Sequence, residues 1–333
     1  MGAAGRLVVV GDIGATYMRF AVADHDQLRL DHYVQFRCAE FQSVRHGLSA
    51  FLKSLNYHPS SVCLAVAGAA DGSRIRMSKL PWVVDADEIG TLSGIDDVLL
   101  VNGFKALALA LPHLSEHDLH RIGGGRRDPM ANRAVVRAGT GLGVAGVTCL
   151  GDRWVSMTGE GGYATFAAQT RDEFDIFERL RFSRHHVAWE HLLSGPGLTT
   201  IYRLLLQING SHDPSDKVTV DEVLSAAEDG EDVIAAQAVE YFVNWLGRFA
   251  GDVALTFGAQ GGVYLSGGIP ARLVTNLEKN GFRTAFENKG RLSPYLEKVP
   301  VFVIRAADAG LRGAAIAYSE SLELEEPLLC AVG

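Results

Sequence analysis

No apolar run in this chain reaches the roughly 18 residues that a membrane-crossing helix needs, and the longest stay short. A membrane is therefore not an expected partner. Ahead of Asp12 there is only Arg6 and a brief Leu-Val-Val-Val stretch, a pattern unlike a secretory leader. Cysteine is also scarce. Cys38, Cys63, Cys149 and Cys330 are scattered without C-x-x-C spacing, so they read as reduced, mostly buried thiols of a cytoplasmic protein. An excess of basic charge is missing too: the net charge is −8, which argues against a general nucleic-acid role. Low-complexity segments are absent, and 47% hydrophobic with 21% charged residues is ordinary for a globular chain. At 333 residues it suits one large or two medium domains.

What is present begins with Gly11-Asp12-Ile13-Gly14-Ala15-Thr16, set between an apolar run and an alternating one. It reads as a hairpin tip. Glycines let backbone N–H groups approach an anion closely. Asp12 offers a carboxylate for a hydrated Mg²⁺ and Thr16 a hydroxyl. A carboxylate on such a tip has no structural use, so phosphate handling is the expected chemistry. A second segment of similar design, Ala138-Gly139-Thr140-Gly141-Leu142-Gly143, follows later, and a third glycine turn, Ser266-Gly267-Gly268, follows a strand and precedes a helix. Each alone is weak, since glycine clusters are often plain tight turns. Three in this order point to a nucleotide.

The coarse pattern is mixed α/β. Three short strands are expected over 6–11, 17–24 and 28–37, with turns at 11–16 and at His25-Asp26. A helix is expected over 44–57, then a strand over 61–67 closed by Gly68, a helix-rich turn, a strand over 98–101, and a helix over 104–111 that Pro112 ends. Residues 113–132 read as a polar, irregular boundary whose Gly123-Gly124-Gly125-Arg126-Arg127 run is expected to be a solvated loop, with an anion site as the alternative. Strands then resume over 134–137, 144–148 and near 154–155 around a glycine turn at 139–143, repeating the first pattern. Helices follow from 171 to 206, with a break at Gly195-Pro196-Gly197. Further helices are expected from 221 and over 234–255, then strands over 263–265 and 301–304 and a last helix from about 309.

The motifs GDIGAT at 11–16, VNGFKALALALP at 101–112, AGTGLGVA at 138–145, GEGG at 159–162, LLSGPGLTTIYR at 192–203, GGVYLSGGI at 261–269 and GFRTAFENKGR at 281–291 resemble the bacterial glucokinases. The resemblance is to the proteobacterial type, within the hexokinase- and actin-type ATPase superfamily, and covers nearly the whole chain. The zinc-binding cysteine cluster of the ROK sugar kinases is missing. The resemblance implies a two-domain α/β fold, with ribonuclease-H-like halves around a cleft. Residues 1–112 plus about 305–333 would form the smaller domain and 113–304 the larger. ATP and Mg²⁺ are the implied cofactors. Gly11, Asp12, Ile13, Gly14, Ala15 and Thr16 would face the phosphates, with Asp12 holding the metal through water. Gly139, Thr140 and Gly141 would lie opposite, and Gly267 and Gly268 by the adenosine. Asn102, Glu160, Tyr163 and Glu190 match the family's contacts to glucose or a related hexose. For Glu190, the residues alone favour a solvated helix face. A homodimer is implied as well.

One departure dominates. Family members carry Asn-Asp-Phe, and the aspartate takes the proton from the sugar hydroxyl. Here Asn102-Gly103-Phe104 stands in that frame, so no catalytic residue is secure. A positioned base typically contributes about 10²–10⁴-fold in rate. Tyr163 replaces the histidine of Gly-Glu-Gly-Gly-His. Ala15-Thr16-Tyr17 replaces Gly-Thr-Asn, and Ser78-Lys79-Leu80-Pro81-Trp82 replaces Thr-Asn-His-x-Trp. Asp85, Asp87 or a water held by Glu160 are the alternative proton acceptors. The expectation is ATP-dependent phosphorylation of glucose at its sixth hydroxyl, strongly impaired. The alternatives are a non-catalytic ATP or sugar sensor and a kinase for a different sugar.

Overall fold

The structure is a computed structural model and describes residues 7–24, 27–71, 73–211, 218–230, 232–279 and 281–325. The expected turn at His25-Asp26 and the thiol of Cys330 lie outside the described residues. The chain divides into two compact units: Met1–Leu114, Trp154–Ser156 and Ala306–Gly333 form the first, and Ser115–Arg153 with Met157–Arg305 the second.

In the first unit, β1 (Leu7–Ile13), β2 (Tyr17–Asp24) and β3 (Arg29–Arg37) form an antiparallel meander. Val8, Val9 and Val10 of β1 are all fully buried, as expected of a strand covered on both faces. Helix α1 (Val44–Lys53) buries Val44, Gly47, Leu48 and Phe51 on one stripe. It ends earlier than expected because the Ser54 hydroxyl donates to the Phe51 carbonyl at 2.6 Å and closes the last turn. Strand β4 (Ser61–Val66) then runs parallel to β1.

The expected helix-rich turn is mostly strand. Gly68 does not close β4 but opens β5 (Gly68–Asp71), which pairs with β6 (Arg74–Met77) and β7 (Val83–Asp85) in a three-stranded antiparallel sheet. Only α2 (Ala86–Ser93) is helical, capped by the Asp85 carboxylate and ended by Gly94 at φ 70°. These strands are too short to show a period, which is why they escaped the sequence pattern. Strand β8 (Asp97–Asn102) joins β4 in parallel, and α3 (Gly103–Ala110) leaves its end directly. The resulting sheet has the order β3-β2-β1-β4-β8. The C-terminal helix (Ala309–Glu325) packs on α3, β1 and β4. Gly313 permits this closeness, since a Cβ there would lie 1.9 Å from the Ala106 carbonyl oxygen.

The second unit repeats the design. Its strands are β9 (Leu119–Gly123), β10 (Arg133–Ala138), β11 (Leu142–Leu150) and β12 (Arg153–Gly159). Four helices follow: α4 (Arg171–Ser183), α5 (Gly195–Ile208), α6 (Val220–Asp229) and α7 (Val233–Phe257). After β13 (Val263–Ser266) come the short helices α8 (Gly268–Arg272), α9 (Val274–Lys279), α10 (Phe282–Glu287) and α11 (Ser293–Leu296), then β14 (Val301–Ile304). The sheet order is β12-β11-β10-β13-β14-β9. A β10–β11 hairpin is followed by two parallel strands, as β1–β2 is by β4 and β8. The repeat expected from the glycine turns is thus a repeat of topology.

Three expectations change here. The boundary segment contains β9, which pairs with β14. The Gly-Arg run is not a free solvated loop: Gly124, at φ 90°, lies so close to residues 299–300 that a Cβ would meet the Val299 oxygen at 2.1 Å. Gly125 N–H also donates to the Lys298 carbonyl. Gly195-Pro196-Gly197 is no break but the first turn of α5. Ser194 caps it by accepting from the Gly197 N–H, and proline is tolerated where its missing N–H would be unsatisfied anyway.

Candidate functional site

In the first unit the expected hairpin tip is smaller than the sequence suggested. Strand β1 continues through Ile13, so only Gly14, Ala15 and Thr16 form the turn. Gly11 sits inside the strand because of packing: a Cβ there would meet Leu64 at 2.6 Å and Phe20 at 3.2 Å. The turn is held from behind. Cys38 donates its N–H to the Thr16 carbonyl at 2.9 Å and its thiol to the Gly14 carbonyl at 3.3 Å. Asp12 is buried, and its carboxylate pairs with Arg19 at 3.2 Å, directly across the hairpin. The same carboxylate abuts the start of the C-terminal helix, where a Cβ on Gly310 would come within 2.7 Å of Asp12 Cγ. Arg19 escaped the sequence reading, although the pairing of a two-residue-period hairpin signals it.

At the end of β8, the Asn102 carboxamide is held by three hydrogen bonds. Its Oδ1 accepts from the N–H groups of Phe104 and Lys105, and its Nδ2 donates to the Gly68 carbonyl at 2.8 Å. Gly103 is the first residue of α3 and is buried. A Cβ on it would find Val66 and Ala67 backbone atoms at 3.5 Å, an ordinary contact, so a side chain fits there. Of the alternative acceptors, Asp85 caps α2 and pairs with Arg74 at 2.6 Å. Some desolvation opposes ionisation of Asp85. The Glu88 N–H and the Arg74 guanidinium outweigh it and hold the carboxyl below its ordinary range. Asp87 lies in the exposed first turn of α2.

The second unit gathers the remaining residues. The turn Gly139-Thr140-Gly141 is shorter than expected, because Leu142 and Gly143 already belong to β11. It is fastened from two directions. Gly195 N–H, opening α5, donates to the Gly139 carbonyl at 2.7 Å, and Glu190 accepts from the Leu142 N–H at 2.8 Å. Glu190 stands in a short 3₁₀ turn, Trp189–His191, rather than on a solvated helix face. Glu160 is exposed and precedes the 3₁₀ turn Gly161–Tyr163. The two glycines press that turn onto β11: a Cβ on Gly162 would meet the Leu142 oxygen at 2.0 Å and one on Gly161 would meet Val144 at 2.5 Å. Glu160 and Glu190 are thereby both carried to the start of β11. Tyr163 is half-exposed, its ring edge-on to His191 at 6.1 Å.

Gly267, at φ 103°, lies against β10 so closely that a Cβ would be 2.1 Å from the Ala138 oxygen. The second and third glycine turns are thus neighbours. Beside them opens a cavity of about 400 Å³, lined by Gly139, Thr140, Pro196, Val220, Gly268 and Ile269 among others. That volume falls in the range of small-ligand pockets, and Leu224 adds to its apolar wall. Arg272 closes one side, paired with Asp221 at 2.9 Å and Glu228 at 3.1 Å. Val220, Asp221 and Leu224 on α6 and Arg272 on α8 lie outside the quoted motifs, so only the folded chain reveals them. Among the described residues no group of three or more potential metal-ligating side chains occurs. A single buried carboxylate such as Asp12 suits a metal that keeps most of its waters and takes further oxygens from phosphate.

Two α/β units of matching topology with glycine turns at the hairpin ends define a sugar-kinase fold. A sequence model described as Glucokinase matches residues 9–321. The glucokinase of Mesorhizobium japonicum is 36% identical over 318 residues, 95% of this chain and 92% of that protein. The crystal structure of a glucokinase from an Antarctic psychrotroph superposes with a TM-score of 0.82 at 29% identity, over 95% of this chain and 99% of the other. A ROK family glucokinase from Streptomyces griseus, solved with glucose and AMPPNP, shares the fold at 18% identity and a TM-score of 0.63, covering 93% of this chain and 98% of its own. The chain belongs to the glucokinase family.

Proposed function

We propose that this protein binds Mg²⁺–ATP and a hexose with the glucokinase constellation but phosphorylates glucose only slowly. The cavity beside Gly139, Thr140 and Gly268 takes the adenosine, and the turns at 14–16 and 139–141 take the phosphates. Gly11 and Ile13, lying in β1, support the first turn by packing. Asp12 holds the metal through water. Glu160 and Glu190 orient the sugar, with Tyr163 at its margin. The S. griseus enzyme's ligands, glucose and AMPPNP, support this pairing of substrates.

The single observation that carries the reduced rate is Gly103. The residue at the head of α3 has no proton acceptor, and Asp85, one of the alternatives, is committed to a helix cap and an ion pair. Phosphoryl transfer depends mainly on positioning and charge neutralisation, so slow turnover survives the loss. The test is a coupled ATP-plus-glucose assay of the natural protein beside Gly103→Asp. The variant is expected to gain about 10²–10⁴-fold in kcat. A Cβ at this position makes only ordinary contacts at 3.5 Å, and the residue stands at a helix N-terminus, where negative charge is favoured. Equally fast turnover in both proteins overturns the reading.

Binding without any turnover is the second reading, favoured by the same residue. It predicts thermal stabilisation by ATP or hexose with no ADP formed. A kinase for another sugar would instead release ADP with some member of a sugar panel.

A further inference from the structure

We infer that Arg137 is an additional phosphate clamp of the nucleotide site, engaging the phosphate chain beyond the α-phosphate. The inference rests on the nucleotide-binding reading above and adds to it a residue that no glycine motif contains.

Arg137 is the last residue but one of β10, two positions before the Gly139–Gly141 turn. Ala134, Val136 and Ala138 face the helical core of the second unit. By strand alternation Arg137 therefore projects from the opposite face, with Val135. Its cross-strand neighbours are Gly143 on β11 and Ser266 on β13. One has no side chain and the other a small one, so nothing bulky flanks the guanidinium. Strands β10 and β13 are parallel and end together at the two glycine turns. In open α/β sheets, ligands bind outside such carboxyl ends.

The charge on Arg137 is unmatched. It is partly buried, yet it has no hydrogen bond, ion pair or ring contact among the described residues. The carboxylate carried to this turn, Glu190, is taken by the Leu142 N–H and makes no ion pair with Arg137. Elsewhere in the unit, three partly buried arginines are matched, Arg248 with Glu173, Arg283 with Glu287 and Arg272 with Asp221, whereas Arg203 leaves its Nε without a hydrogen-bond partner among the described residues. Partly desolvating a guanidinium without a partner costs free energy. A phosphate oxygen pair suits its planar fork, and that is the geometry arginine recognises best.

Calorimetric titration of ATP, ADP and AMP into the natural protein and into Arg137→Ala, Arg137→Gln and Arg137→Lys tests this. Affinity for ATP and ADP is expected to fall about tenfold to a hundredfold in the Ala and Gln variants, the loss of one charged hydrogen-bonding partner. AMP binding should hardly change, and Lys should retain part of the affinity. The ligand-free melting temperature of the Gln variant should stay level or rise, because an unpaired charge has been removed. ATP bound equally by the natural protein and the Ala variant overturns the inference and leaves the nucleotide reading intact. A lowered melting temperature with equal losses for ATP and AMP also overturns it, by making Arg137 structural. Failure of the natural protein to bind ATP at all sinks both readings.

Discussion

The two units share a topology and differ in how each treats charge beside its glycine turn. In the first, the hairpin carries a paired charge: Asp12 and Arg19 face one another across β1 and β2, and Cys38 ties the turn from behind. In the second, the Glu190 carboxylate accepts from the Leu142 N–H, and the cation, Arg137, has no partner among the described residues. One unit neutralises itself and the other keeps a positive charge in reserve. A duplicated frame therefore does not imply duplicated chemistry. In the first unit α3 begins directly at the end of β8, with Gly103 as its first residue.

The comparison can be broken most severely at Gly103. If Gly103→Asp raises glucose turnover by roughly two to four orders of magnitude, the first unit is intact apart from one missing carboxylate. No change would mean that the other altered sugar contacts, Tyr163 included, dominate. Next in size is the ion pair inside the second unit. Glu173 is buried and accepts from Arg248, Trp245 and the Gln169 N–H. Glu173→Ala should cost about 3–5 kcal/mol, the usual penalty for stranding a buried charge, measurable by denaturant unfolding. Burial opposes ionisation of Glu173, but the Arg248 and Trp245 contacts prevail and lower its pKa. Its stabilising effect is therefore complete above the unfolded carboxylate pKa and fades as pH falls through the lower folded value. The stability difference between the natural protein and Glu173→Gln should shrink in that acid window. A difference independent of pH would assign the effect to packing alone.

A gentler perturbation belongs to the first unit. Gly313→Ala drives a Cβ into the Ala106 carbonyl and should lower stability by about 1–3 kcal/mol through overpacking. Fluorescence-detected melts of this variant beside Glu173→Ala would show whether the units unfold together or apart. Smallest is Thr219→Ala, which removes the capping box of α6 with Glu222 and should cost about 0.5–2 kcal/mol. Because α6 lines the 400 Å³ cavity, adenosine binding should weaken slightly with it. Unchanged binding would remove α6 from the nucleotide wall.

The sequence made the long-period parts of this fold readable. Helix α7 shows its apolar stripe over many turns, and the strands β1 and β4 carry continuous apolar runs. Of the turn glycines, Gly267 is demanded by backbone geometry, with φ 103° and a Cβ that would lie 2.1 Å from the Ala138 oxygen. What stayed hidden were short or long-range features. Strands β5, β6 and β7 are too brief for a period, and β9 is recognisable only from its pairing with β14. The exact extent of the first turn depended on Leu64, fifty residues away in sequence by order of magnitude, filling the space beside Gly11. The cavity wall on α6 and the isolation of Arg137 are properties of three-dimensional neighbours, which no local pattern records.

Asn102 has one further consequence. A single carboxamide both starts α3 and latches β5, so its identity is dictated by scaffolding whatever ligand the protein meets. The next position carries no such duty, and its backbone accepts a methyl group or a hydrogen alike. Substitution at this corner is therefore constrained at residue 102 and open at residue 103, where a small side chain leaves the architecture unchanged.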